Sequence, residues 1–98
     1  MGASVTRGAA TRADALAAFA AEGCSAPRSW GNGPGDEYGA HRHDRHKVLF
    51  CLEGSIEFRT DAASLALSAG DRLDLPAGTR HAATVGPSGC RCVEAWAP

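Results

Sequence analysis

The sequence predicts an all-β fold, an antiparallel sandwich or barrel, with one short helix near the N-terminus. Three observations carry that reading. Short segments of alternating apolar and polar residues recur at 55–59, 64–68, 72–75 and 80–85, as strands with one buried face do. Turn-forming residues separate them, at Thr60-Asp61, Pro76-Ala77-Gly78 and Gly86-Pro87-Ser88-Gly89. The longest apolar run, at 48–52, has the length of a strand, and five apolar residues in a row argue a strand covered on both faces.

Taken in order, residues 1–10 are small and polar with no period, which predicts a frayed, flexible terminus. Residues 11–98 then form one folded unit. Thr11 can cap a helix over 12–22, where Ala13, Leu16, Ala17, Phe19 and Ala20 cluster on one side and Gly23 supplies a stop. So short a helix needs a surface to bury against, and the expectation is that it covers an open end of the barrel. A first strand follows at 25–30 and places Trp30 in the core or at the rim. Gly31-Asn32-Gly33-Pro34-Gly35 forces a turn ahead of Tyr38 and a group of histidines.

After the apolar run, Gly54 breaks the strand, and 55–59 resumes with Ile56 and Phe58 on one face and Glu57 and Arg59 on the other. Leu65 and Leu67, then Leu73 and Leu75, continue the alternation. His81, Ala83 and Val85 share a face. The turn at 86–89 leads into a last strand, 90–96, with Cys90, Cys92, Glu94 and Trp96 on one side.

Composition excludes several classes of function. A chain of 98 residues supports one core. The formal net charge is −1 and basic residues are not gathered into a run, so neither nucleic acid nor an anionic membrane is an expected partner. Nothing approaches the ~20 apolar residues of a membrane span. The alanine-rich stretch 15–21 is short and follows Asp14, unlike a secretion signal, which predicts a cytoplasmic protein. The four cysteines match no zinc-ribbon spacing, and same-face neighbours such as Cys90 and Cys92 sit too far apart for an easy disulfide; buried free thiols are expected.

Chemistry concentrates in the histidines. In an extended segment His41 and His43 point the same way and can grip one ion together. His81 follows the Pro76-Ala77-Gly78 turn far along the chain, and a fold that returns it brings three imidazoles to one point. Such a set suits zinc, copper, iron or nickel and leaves coordination positions free, as a catalytic metal requires.

The order Gly35, five residues, His41-Arg42-His43, three residues, Lys47, six residues, Gly54, then Gly70, five residues, Pro76, Ala77, Gly78, two residues, His81 resembles the two motifs of the cupin superfamily, with only 55–69 between them. The resemblance covers 35–85 and implies a small jelly-roll barrel, or double-stranded β-helix, whose mouth holds a divalent transition metal (iron, manganese, nickel or zinc) on His41, His43 and His81. It also exposes two departures. Lys47 stands where the first motif carries a glutamate ligand, and Val85 stands where the second ends in asparagine.

Two residues bear on that gap. His46, turned inward by a local bulge, would complete a four-histidine set. Strict alternation instead aims Lys47 at the cavity, where its ammonium would clamp a substrate carboxylate or act as a base. Cys51 shares the parity of Lys47 and either lines the cavity deeper down or fills the core. Trp30 and Tyr38 are candidate walls, and Glu57 and Arg59 line the far side if parity survives Gly54. The function implied by the resemblance is a metal-dependent small-molecule enzyme, foremost a dioxygenase-like reaction at a three-histidine centre, then isomerase or lyase chemistry. A non-catalytic module that senses a small ligand or metal is the alternative, and pairing through sheet edges predicts a homodimer.

Overall fold

The computed structural model describes residues 2–98. Its elements are β1 (Ser4–Thr6), α1 (Arg12–Ala21), β2 (Arg28–Asn32), β3 (Glu37–His41), β4 (Lys47–Thr60), β5 (Ser64–Ser68), β6 (Arg72–Leu75) and β7 (His81–Trp96). All pairings are antiparallel, and the two long strands β4 and β7 run side by side through the centre. The first part of β4 carries β6 and then β1 on its outer side; its second part carries β5. The first part of β7 carries β3 and its last part β2. The result is a jelly-roll arrangement: the alternation and turns predict an all-β sandwich or barrel, and the resemblance implies the jelly roll.

Residues from both parts of the long strands share one core. Leu49, Cys51, Leu73, Leu75 and Cys92 from one part meet Ile56, Phe58, Leu67, Ala83 and Val85 from the other. A second cluster lies on the outer face, where Val48, Phe50, Val93 and Ala95 are covered by Ala15 and Phe19 of α1. This explains the unbroken apolar run: its odd positions face the jelly-roll core and its even positions face the helix. Phe19 meets Phe50 edge to face at 5.5 Å.

Several expectations change. The helix lies across the outer face of β4 and β7 rather than over an open end. Its buried face is Ala15 and Phe19 with Ala18 beside them, while Leu16 is 40% exposed. Thr11 caps it as expected, accepting from the Asp14 N–H while the Asp14 carboxylate accepts from the Thr11 N–H. Within the stretch expected to fray, Met1 lies outside the described residues but Ser4–Thr6 forms β1, registered on Arg72–Asp74. A strand this short carries too little pattern to be read from sequence.

Gly54 does not end its strand. It sits at φ 70° in a bulge, and β4 continues past it to Thr60. Opposite, residues 86–89 do not reverse the chain: pairing passes from Gly54↔Cys90 to Ile56↔Val85, so these residues bulge out of a strand that keeps the same neighbour. The bulges exchange inward and outward positions along β4. Up to Cys51 the odd residues face the core; after the bulges Ile56 and Phe58 do, and Glu57 and Arg59 turn away from the cavity.

Asp71 ties the N-terminal strand to this frame. Its buried carboxylate accepts from Arg7 at 2.8 Å, Ser68 N–H at 2.9 Å and Gly8 N–H at 3.1 Å. Burial pushes its pKa up, but these hydrogen bonds outweigh burial and leave it below the usual 3.8. Asp71→Ala is expected to cost about 2 kcal/mol in urea unfolding, because two backbone donors lose their acceptor. A depressed folded pKa means the unfolded chain binds the proton first. The wild-type contribution is therefore full above 3.8 and fades as pH falls below it, and the variant should lack that part of the acid limb.

Candidate metal centre

His41 ends β3, His81 begins β7, and the two are register partners across the ladder. His43 lies two residues beyond His41, in the connection to β4. Its carbonyl accepts from the Gly78 N–H at 2.7 Å, so the Pro76-Ala77-Gly78-Thr79 turn, closed by Thr79 N–H to the Pro76 carbonyl, holds this connection in place. The ring centroids are 4.3 Å apart for His41 and His81, 4.9 Å for His41 and His43, and 5.2 Å for His43 and His81. One nitrogen from each ring lies within 4.8 Å of the other two, and this trio is the set the motif spacing predicts.

The hydrogen bonds around these rings fit a metal. His41 Nδ1 lies 2.7 Å from the Gly39 carbonyl and His81 Nδ1 lies 2.9 Å from the Thr79 carbonyl. A carbonyl only accepts, so each Nδ1 carries the proton and each Nε2 keeps a free lone pair, the tautomer in which metal-bound histidines are usually held. His43 Nε2 is buried with no hydrogen-bond partner among the described residues. A buried imidazole nitrogen without a partner is costly, and a cation held together with the two neighbouring rings would satisfy it. Burial lowers the pKa of both His43 and His81, reinforced for His43 by the Lys47 charge. Both rings are thus neutral at pH 7, as ligation requires.

His46 does not join them. Its Nε2 lies 2.9 Å from an Asp74 carboxylate oxygen, and its carbonyl accepts from Ala97 N–H at 2.8 Å. The ladder with the end of β7 is therefore regular here; the β4 bulge comes later, at Gly54, and alternation sends His46 outward and Lys47 inward.

Lys47 is buried and faces the cavity, where its Nζ stands 3.4 Å from Glu94 Oε1 and 5.4 Å from the centre of the Trp96 ring. Glu94 Oε1 also accepts from Trp30 Nε1 at 2.7 Å. Trp96 in turn packs edge-on against His43 at 5.1 Å and lies under Arg45. Lys47 thus brings a cation into the cavity, and a carboxylate from the neighbouring strand answers it. Glu94 escapes the sequence reading as a site residue. Its signal was an acid sharing a strand face with Cys90, Cys92 and Trp96.

The cavity beside the three rings has a volume of about 290 Å³. Trp30 and Tyr38 wall it as expected, edge to face at 5.6 Å, joined by Phe58 and Trp96. Arg28 stands at its rim; it is the second site residue that sequence reasoning misses. Cys51 does not line the cavity. It is fully buried in the core opposite Cys92, and all four cysteines are free thiols. Among the described residues, no helix is long and apolar enough to cross a membrane.

The family model described as a cupin domain matches residues 32–95. Among solved structures, an uncharacterized conserved protein with a double-stranded β-helix domain from Klebsiella pneumoniae is 27% identical with a TM-score of 0.65; the match covers 74% of this chain and 65% of that one. An RmlC-like cupin from Shewanella frigidimarina is 25% identical with a TM-score of 0.65, covering 74% and 64%. A cupin 2 conserved barrel domain protein from Salinispora arenicola is 27% identical with a TM-score of 0.63, covering 74% and 61%. The match thus spans just under two thirds of the length of each of these proteins. No curated protein matches the chain.

Proposed function

Because this chain belongs to the cupin domain family, we propose that it binds a divalent transition metal on His41, His43 and His81 and uses it as a small-molecule enzyme, foremost of the dioxygenase-like kind. One observation carries the reading: three imidazoles, one of which has a buried nitrogen without a partner, converge beside a cavity of small-ligand size. Three protein ligands leave positions for substrate and for oxygen or water, and the bound metal would supply Lewis-acid or redox chemistry there. The chain's own residues do the rest. The Gly39 and Thr79 carbonyls fix two ring tautomers, Trp96 packs against His43, and aromatic walls exclude water around the reacting group. Lys47 places positive charge beside the site and favours an anionic substrate group, although the nearby Glu94 carboxylate offsets part of that charge.

A second reading, binding without turnover, draws on the same pair. Lys47 and Glu94 close on each other, so neither is an uncommitted acid or base. The test starts from elemental analysis of protein purified without a metal-binding tag, beside His41→Ala and His81→Ala. Near-stoichiometric iron, manganese, nickel or zinc in the wild type and its loss in both variants is the expected result. Metal content indifferent to both substitutions would sink the assignment. Oxygen uptake with candidate substrates by the iron-loaded protein then separates enzyme from binder.

A further inference from the structure

The charges facing the cavity are Lys47, Glu94 and Arg28. The first two are mutually committed at 3.4 Å, and the same Glu94 oxygen is held by Trp30. Arg28 is different. It is the register partner of Glu94 across the β2–β7 ladder and shares the face of Trp30, two residues on. Yet among the described residues its guanidinium makes neither an ion pair nor a hydrogen bond. One uncompensated, planar, bidentate donor therefore stands at the mouth of a pocket walled by both tryptophans and the only tyrosine of the chain.

We infer that Arg28 is a specificity residue and that the ligand is a small aromatic or otherwise flat, unsaturated monocarboxylate, its carboxylate on Arg28 and its body between the aromatic walls. A cavity of about 290 Å³ lies at the lower end of the range for small-molecule sites, which suits a single ring rather than a nucleotide or an oligomer. One free guanidinium matches one carboxylate. Aromatic side chains favour a π-face over a flexible aliphatic chain. The inference names the substrate class for the site proposed above and rests on that reading for the histidine centre, but the anchor itself needs no metal.

Benzoate and its neutral isostere benzamide are the probes, titrated into zinc-loaded and chelator-treated protein at low salt. Tryptophan emission is the readout, since both tryptophans line the cavity. Benzoate is expected to bind about tenfold or more tighter than benzamide, with the preference carried by the charge-assisted pair. Arg28→Gln should abolish that preference and Arg28→Lys should recover part of it, while far-ultraviolet circular dichroism and zinc content stay unchanged. Benzoate binding that is absent, no better than benzamide, or indifferent to Arg28→Gln overturns the inference. Retained zinc with no Arg28 dependence defeats it alone. Arg28-dependent preference in a protein that takes up none of zinc, iron, manganese or nickel on loading defeats the metal reading and leaves it standing.

Discussion

Gly54→Ala should lower the stability of this protein by about 3 kcal/mol or more in equilibrium urea unfolding. Two penalties combine. At φ 70° a side chain is disfavoured on conformational grounds alone, by about 1 kcal/mol. A Cβ there would also lie 1.9 Å from the Gly89 carbonyl oxygen and 2.8 Å from its carbon, backbone atoms that have no rotamer by which to withdraw. Gly35→Ala separates the two effects, since Gly35 has φ 74° with no atom within 4 Å of its Cβ position. It should cost only the conformational part, about 1 kcal/mol. Equal losses in the two variants would show that the bulges can yield to a methyl group.

Lys47→Met carries the second large effect, about 3 kcal/mol of lost stability, by leaving Glu94 buried with only the Trp30 N–H. The pair's side chains are 11% and 10% exposed, so water does little to replace the missing partner. The double variant Lys47→Met/Glu94→Gln should regain most of the loss, because a neutral amide keeps the indole hydrogen bond without an unpaired charge. A single variant as stable as wild type, or a double variant no better than the single, would mean that the two charges are not coupled. Chemical denaturation of the four members of the cycle decides it.

The two positions also show what a reader of the sequence can and cannot see. His41, His43 and His81 are legible because motif spacing and a period of two are local properties. The same is true of Lys47 facing inward and His46 outward. The inward turn of Phe58 in place of Glu57 and Arg59 is not legible, since it depends on a bulge whose offset is set by residues 86–89 on another strand. Arg28 and Glu94 escape for a related reason. Each is ordinary in its own segment and acquires meaning only when the β2–β7 register sets them opposite each other. The helix was visible from Thr11 and Gly23, but its seat on Val48, Phe50, Val93 and Ala95 is a tertiary choice that its small alanine-rich face does not announce.

The central place of β7 has a consequence for how the protein comes into being on the ribosome. Both β2 and β3 hydrogen-bond to β7, the last element in the order, and His41 finds its register partner 40 residues downstream in His81. At roughly 5–20 residues per second, that interval is about 2–8 s of synthesis during which His41 and His43 wait for the His81 imidazole. Until then the nascent chain holds only two rings of the trio, beside His46, which the folded chain pairs with Asp74. On the metal reading proposed above, capture by all three would wait for β7 to emerge and dock, and an ion would then enter past His41, the exposed member of the trio.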